Sequence, residues 1–324
     1  MDKKSVWEKI SIPSSETNTK YPFYFNLYNY KTNGIIFVIT GLILPLISLI
    51  MFRFIGGMST PAIDEKTNAQ LVTYNFLVSF ASTIIGLVFL LIKDKALFFK
   101  SGLFIFYGFQ LFVPLIGVVL STFVSLINFG SEWKNIIFLW FQIIAEIIVA
   151  IAALYWTTDL KTRIISTFKK DWLKILIVIL VGFGLMIGID QLYGFLVKGT
   201  ALGETPQNQS ELIGLINNEN PSIRITYIIS LFVLTILIAP LVEEIAMRHA
   251  VYVGCGNRTI ALFVSSLMFG MIHVNSGDVE HILSYVLSGL VFSTIFSVCR
   301  GNVTYTWLTH AGYNAFAFVL LFIN

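Results

Sequence analysis

The residues best suited to chemistry in this chain are two adjacent acids, Glu243 and Glu244, in an otherwise apolar stretch. A charge at the middle of a membrane costs about 2.5–3.5 kcal/mol on insertion scales, so such groups persist when they pair or line a water-filled cavity. Glu244 and Arg248 are four residues apart, so they share a helix face and can form an ion pair. Glu243 points about 100° away and has no local partner. It is therefore the acid available as a general base.

Two downstream segments also place polar side chains one helical turn apart. The first pairs Phe269 with His273, and the second pairs His310 with Asn314. A lone histidine in an apolar helix is often only a buried hydrogen-bonding group, and a lone Glu–Arg pair is often a structural tie. Here three consecutive blocks each carry polar groups on one helix face, which favours a shared site.

The elements that must position these residues are membrane helices. The 324 residues are 56% hydrophobic and 12% charged, whereas soluble domains carry about 25% charged residues. The net charge of +3 comes without a clustered basic face, which argues against a nucleic-acid partner. A spanning helix needs about 20 apolar residues. The sequence predicts an all-α, polytopic membrane helix bundle of eight or nine spans, at 34–55, 72–92, 102–128, 136–156, 173–197, 224–247, 259–274, 281–298 and 303–323.

The distribution of cations predicts the orientation of these spans. The N-terminal tail, the loop after the second span and the loop after the fourth span are rich in Lys and Arg, and they alternate with loops that carry single cations. Cytoplasmic loops carry this excess, so the N-terminus is predicted to be cytoplasmic and, with nine spans, the C-terminus outside. Glu243 then lies towards the cytoplasmic end of the sixth span. The protein is expected in the plasma membrane, and its Lys-, Asn-, Ile- and Phe-rich usage suggests a bacterial source.

The basic loop 157–172 marks a plausible boundary within the chain. Residues 1–160 would form a cytoplasmic tail and four spans without an assigned family, and residues 161–324 would hold all the candidate site residues. Two other acids within spans, Glu146 and Asp190, are interpreted as packing or cavity groups.

Other reactive side chains fall at the predicted span ends. His249 and His281 are expected at the membrane interface. Cys255 and Cys299 lack zinc-ligand spacing and are expected to be free thiols on the reducing cytoplasmic side.

The three polar blocks resemble the motifs of the CPBP family of intramembrane proteases, also called the Abi or CAAX-protease family. The sequence EEIAMR at 243–248 resembles its EExxxR motif, FGMIH at 269–273 its FxxxH motif, and HAGYN at 310–314 its HxxxN motif. The order and the spacing agree with the family. The resemblance covers roughly residues 173–324 and leaves the first four spans unexplained.

This resemblance implies roles for the residues of the first two motifs. Glu243 would be the general base that activates a water, and His273 would help to hold or deprotonate that water. Glu244 and Arg248 would form the ion pair that orients the site, and Phe269 would pack the cavity.

The third motif supplies His310 and Asn314, which the resemblance implies as donors to the oxyanion on the scissile carbonyl. Metal dependence stays open from the sequence. No recognised zincin signature is present; if a divalent metal such as zinc is bound, Glu243, His273 and His310 are the candidate ligands. A glutamate-based reaction without a cofactor fits the residues equally well.

The leading hypothesis is an intramembrane endopeptidase that hydrolyses a membrane-associated protein or peptide near the cytoplasmic leaflet. The alternative is a non-catalytic membrane scaffold or bacteriocin self-immunity protein that keeps the protease fold. A solute transporter would predict internal repeats with broken helices, which the sequence lacks. The expected partners are the lipid bilayer and a protein or peptide substrate.

Overall fold

The computed structural model describes residues 22–204, 206, 209–210 and 213–323, and these residues form a bundle of helices. Much of the predicted N-terminal tail (residues 1–21) and part of the loop 198–223 lie outside the described ranges. A short helix, Lys95–Lys100, and a 3₁₀ turn, Ala201–Gly203, connect longer elements. The long helices are α1 (Tyr30–Phe54), α2 (Glu65–Lys93), α3 (Phe104–Ser125), α4 (Ser131–Trp156), α5 (Leu160–Lys170), α6 (Trp172–Val197), α7 (Pro221–Cys255), α8 (Arg258–His273), α9 (Val279–Val298) and α10 (Val303–Leu320).

Seven of these helices are long and apolar enough to cross a membrane. They are α1 to α4, α6, α7 and α9. Two helices that the sequence predicted as spans, α8 and α10, are not among the seven. Helix α8 is apolar but only 16 residues long, and α10 has 18 residues. The amphipathic α5 was not predicted as a span and lies in the basic loop. The predicted membrane helix bundle is confirmed, and the protein is a multi-pass membrane protein.

Polar caps explain where several helices begin. The side chain of Asp64 accepts a hydrogen bond from the Thr67 amide at the start of α2. Asn257 accepts from two amides at the start of α8, and so separates it from α7. These bonds satisfy amides that have no partner within their own helix. Gly256 ends α7 at φ 59°, and a Cβ there would lie 2.1 Å from the Tyr28 carbonyl oxygen, so only glycine fits this junction.

The two sequence regions divided at residue 160 share one hydrophobic core. Phe37 of α1 is fully buried, and its ring lies 2.9 Å from where a Cβ on Gly254 of α7 would stand. Arg53 of α1 forms an ion pair with Glu280 at the start of α9. The N-terminal helices therefore pack directly against the helices that carry the three motifs.

The basic loops meet on one side of the bundle, which we call the basic face. It comprises residues 22–29, 93–103, 157–174, 255–258 and 299–302. Arg163 Nη1 donates to the Gly301 carbonyl at 3.1 Å, and the Thr158 amide donates to the Lys100 carbonyl at 2.9 Å. Burial lowers the pKa of Arg163 to about 10, so its guanidinium stays charged at neutral pH. The opposite side, which we call the lysine-poor face, comprises residues 55–64, 126–135, 198–204 and 274–281.

Candidate active site

Helix α7 is irregular on both sides of the two acids. Its segment Ala239–Glu244 is α-helical, but the segments Val233–Ile238 and Ile245–Ala250 are π-helical. Pro240 lacks an amide hydrogen, and its ring would clash with the preceding turn of a regular α-helix. Wider π-helical turns occur frequently at functional sites. These turns set the directions in which Glu243 and Glu244 leave the helix.

Glu244 is held by charge-assisted hydrogen bonds. Arg248 donates to both carboxylate oxygens, from Nε at 3.0 Å and from Nη2 at 3.3 Å, and both side chains are fully buried. The predicted ion pair is confirmed. His310 Nδ1 lies 3.2 Å from the same carboxylate. Arg248 and His310 thus both hold the Glu244 carboxylate in place.

Arg248 is fixed from its other side by α8. Its Nη1 donates to both the hydroxyl and the carbonyl oxygen of Ser265, at 2.8 and 3.2 Å. The guanidinium lies over the rings of Phe269 and Phe292, 4.8 and 5.6 Å from their centroids. Cation–π contacts of this kind strengthen when they are desolvated. The sequence did not reveal Ser265, because a serine in an apolar helix carries no distinctive pattern.

Glu243 has a different environment from its neighbour. Its side chain is 15% exposed and lines a cavity. Among the residues that the structure describes, none forms a hydrogen bond to its Oε2 atom. The nearest basic nitrogen is His310 Nε2, at 4.0 Å from Oε2, which is too long for a direct hydrogen bond. Glu243 Oε2 therefore has no direct hydrogen-bond partner among these residues.

His273 lies at the end of α8 and borders the same cavity. Its Nδ1 donates to the carbonyl oxygen of Phe269 at 2.8 Å, so a neutral ring keeps its Nε2 as an acceptor. The ring stacks on Tyr285 of α9 with centroids 4.6 Å apart and an interplanar angle of 20°. The motif thus fixes both the tautomer and the orientation of His273.

Helix α10 contributes His310 and Asn314. The His310 ring stacks on Phe292 with centroids 4.7 Å apart, which positions its Nε2 near Glu243. Asn314 Nδ2 donates to the Thr235 carbonyl at 2.8 Å, in the first π-helical segment of α7. All six predicted site residues therefore occur in one place, with Glu244 and Arg248 buried behind the other four.

Further cavity residues were not assigned to the site from the sequence. Tyr285 and Phe292 stack on the two histidines, and their spacing of seven residues on α9 was a detectable signal. Tyr313 donates a hydrogen bond to Asp190 in the cavity wall, which agrees with the interpretation of Asp190 as a cavity group.

Glu146 connects the N-terminal helices to the site. It is 1% exposed on α4, and its Oε1 accepts from Gln142 Nε2 at 2.9 Å. Gln142 borders the cavity that Glu243 also borders. Glu146 was interpreted as a packing or cavity group, and its place behind the cavity wall agrees with that.

The two remaining histidines are buried, although the sequence placed them at the membrane interface. His249 is 2% exposed, and its Nε2 donates to the Ser101 carbonyl at 2.9 Å. His281 is 6% exposed and borders the cavity. The sequence did not predict this burial, which for His249 comes from contacts with Ser101, Gly102 and Phe23. Cys255 and Cys299 are free and buried, as predicted.

The cavity has a volume of about 1230 Å³ and connects the site to the lysine-poor face. Glu243, His273 and His310 border its inner end, whereas Lys198 and Glu204, in an exposed loop, border its outer end. This face lies opposite the basic face, which the sequence predicted to be cytoplasmic and close to the site of cleavage. The position of Glu243 along α7 suggested that side, but packing closes it.

The three residues named as candidate metal ligands, Glu243, His273 and His310, all border the cavity. Within the described ranges, no group of three or more His, Cys, Asp or Glu side chains is arranged to hold a metal ion. His310 directs Nδ1 to Glu244, and His273 directs Nδ1 to the Phe269 carbonyl. Histidines that ligate a metal through Nε2 commonly make such Nδ1 hydrogen bonds, so these bonds do not decide metal dependence, and the chelator experiment below tests it.

Comparison with known proteins agrees with the geometry. Residues 225–316, which include all three motifs, match the family model described as type II CAAX prenyl endopeptidase Rce1-like. The chain is 34% identical over 321 residues to an uncharacterized protein of Mycoplasma capricolum subsp. capricolum, an alignment that covers 96% of this chain and 93% of that relative. No solved structure matches the chain. The chain belongs to the CPBP family of CAAX-type intramembrane proteases.

Proposed function

We propose that this protein is an intramembrane endopeptidase in which Glu243 activates a water molecule for attack on a peptide bond. The proposal rests on the different environments of two adjacent acids. Glu244 is held by Arg248 and His310, whereas Glu243 faces the cavity with Oε2 unbonded among the described residues. A carboxylate that borders a cavity and has no fixed partner can accept a proton from bound water.

The reaction needs a positioned water as well as a base. The water would lie between Glu243 and His273, whose Nε2 accepts its second hydrogen bond. Its oxygen bonds to the carbonyl carbon while one proton passes to Glu243. The C–N bond then breaks, and Glu243 returns the proton to the leaving nitrogen. Hydrolysis consumes one water and yields a carboxylic acid and an amine, which ionise to a carboxylate and an ammonium group, so it needs no co-reactant.

The oxyanion that forms during attack would be stabilised from α10. A His310 ring that donates to Glu244 through Nδ1 and to the oxyanion through Nε2 carries both of its protons. Asn314 has two N–H donors, and its bond to Thr235 fixes the plane of its amide. Preorganised donors of this kind are worth about 100- to 1000-fold in rate.

The test compares purified wild type with Glu243→Gln in proteoliposomes, using a library of quenched fluorescent peptides. Loss of the base should reduce kcat by about 100- to 10,000-fold. Glu219→Gln is the matched control, because Glu219 is exposed and outside the cavity lining; it should retain wild-type activity. Cleavage at the wild-type rate by Glu243→Gln would show that the proposed base is wrong.

Two further experiments distinguish the proposed reaction from the other hypotheses. If a deletion strain is rescued equally by wild type and by the double variant Glu243→Gln, His273→Ala, the protein acts as a scaffold instead. Treatment of the active enzyme with a chelator tests metal dependence, and unchanged cleavage is the result that a glutamate-based reaction predicts.

A further inference from the structure

We propose that the substrate reaches Glu243 through the lysine-poor face, so that the protease acts on extended polypeptide segments presented from outside the cytoplasm. This proposal rests on the proposed function, since it concerns the route to the same site. It differs from cleavage near the cytoplasmic leaflet, which the sequence position of Glu243 suggested.

The cavity wall is built from the lysine-poor halves of the helices around the site. Helix α6 contributes residues from Met186 to Val197, which end at the exposed loop 198–204. Helix α7 contributes residues from Tyr227 to Glu243. The cavity lining includes no residue of α7 beyond Glu243. The cavity therefore extends from Glu243 only towards the N-terminal end of α7.

The other direction is closed by packing. Each residue of the segment 245–255 is buried. Arg248 is 0% exposed and His249 is 2% exposed. Phe23, from the segment before α1, packs edge-on against His249 and Phe296, with centroids 5.0 and 5.2 Å apart. Arg163 covers the outer side of the Phe23 ring, 5.5 Å from its centroid. These contacts form a plug between the basic face and the site.

The dimensions of the cavity indicate the form of its ligand. Tyr227 and Glu243 are sixteen residues apart on α7, which corresponds to about 24 Å at 1.5 Å per residue. An extended chain rises about 3.3 Å per residue, so about seven residues span this depth. The volume of about 1230 Å³ exceeds the roughly 300–1000 Å³ of pockets for drug-sized ligands. The size suits an unfolded peptide segment.

The chemistry of the wall also suits a peptide backbone. Asn135, Gln142, Ser284 and Ser288 are polar side chains that border the cavity at different depths. Hydroxyl and amide groups can pair with the N–H and C=O groups of an extended chain, which must be satisfied when they leave water.

The side of the membrane follows from charge. Lysines and arginines concentrate on the basic face. They are Lys93, Lys95, Lys100, Lys161, Arg163, Lys169, Lys170, Lys174, Arg258 and Arg300. The positive-inside rule places such loops in the cytoplasm. The mouth of the cavity, at residues 198–204, then faces outward.

Cysteine labelling tests this route without requiring activity. Leu202→Cys places a thiol at the mouth, Ser284→Cys places one in the wall, and Lys169→Cys places one on the basic face. Each is expressed in bacterial spheroplasts and treated with a membrane-impermeant maleimide before or after permeabilisation. Wild type is the background control, because Cys255 and Cys299 are buried. Size-exclusion elution confirms that each variant folds.

The expected result is that Leu202→Cys and Ser284→Cys are labelled in intact spheroplasts and Lys169→Cys only after permeabilisation. Labelling of Ser284→Cys should also block peptide cleavage. The route would be overturned if Ser284→Cys reacted only from the cytoplasmic side, from both sides or from neither. Because labelling does not depend on hydrolysis, its failure is distinguishable from a failure of Glu243→Gln to lose activity.

Discussion

Replacing Arg248 by methionine is expected to destabilise the protein more than any exposed arginine substitution. The guanidinium makes two hydrogen bonds to Glu244 and two to Ser265, and it is fully buried. Methionine fills a similar volume but cannot donate to any of these groups. The Glu244 carboxylate would then keep His310 and Thr306 as polar neighbours but no arginine, in a region closed to solvent.

The size of the effect follows from this burial. Removing one partner of a buried ion pair costs about 3–5 kcal/mol, because it leaves the other charge uncompensated. A loss of 1 kcal/mol lowers Tm by about 2–4 °C in domains of 150–250 residues. In this chain of 324 residues an unfolding entropy of about 2.1 cal/mol/K per residue gives a smaller sensitivity of about 1.5 °C per kcal/mol. Arg248→Met should therefore lower Tm by about 4–7 °C.

The assay is thermal unfolding in detergent, followed by scanning fluorimetry, with Arg224→Met as the matched control. Arg224 is exposed at the start of α7, so its replacement should change stability by no more than about 0.5 kcal/mol. The double variant Glu244→Gln, Arg248→Met removes both charges. It should be more stable than the sum of the single effects predicts, by about 0.5–3 kcal/mol.

Two outcomes would refute the reasoning. An Arg248→Met protein within about 1 kcal/mol of wild type would mean that the Glu244 charge is not desolvated in the folded state. Additive effects in the double variant would mean that the two side chains are not coupled.

Two further predictions concern the packing around the site. Tyr285→Leu removes the ring that stacks on His273. Because aromatic pairs contribute about 0.5–1.5 kcal/mol, kcat should fall by up to about tenfold, while Tm should change little. Tyr285→Phe keeps the ring and should retain most activity. Gly270→Ala places a Cβ 2.5 Å from Val286 Cγ2 and should cost about 1–3 kcal/mol by overpacking α8 against α9. Gly312→Ala is its control, since the nearest atom is 3.8 Å away, and equal Tm changes in both variants would contradict this explanation.

Short-range spacing made much of this protein predictable. The apolar segments predicted most helix ends to within five residues, because the length that crosses a bilayer and the charges that end it are local properties of the chain. The exceptions are α2, which begins seven residues before its predicted start, and α7, which ends eight residues after its predicted end. The ion pair of Glu244 and Arg248 followed from their spacing of one helical turn. The grouping of His273, His310 and Asn314 with these residues followed from the motif resemblance.

The partners of each side chain depended on packing between distant segments. His310 reaches Glu244 across 66 positions, and Arg248 reaches Ser265 across 17. No periodicity encodes these contacts, because each depends on how close two helices approach and which rotamers fit between them. For the same reason the burial of His249 was missed, because Ser101 and Phe23 contact it only in the folded chain.

The sequence by itself determined that Glu243 is the unpaired acid of an apolar helix, because helical spacing alone assigns its neighbour a partner. Only the tertiary structure decided on which side of the bundle Glu243 borders a cavity. Its position along α7 suggested the basic face, but Phe23, His249 and Phe296 pack tightly there, and the helices leave a cavity on the lysine-poor face. Cavities form where side chains from several helices fail to fill the space between them, which is a property of the whole assembly.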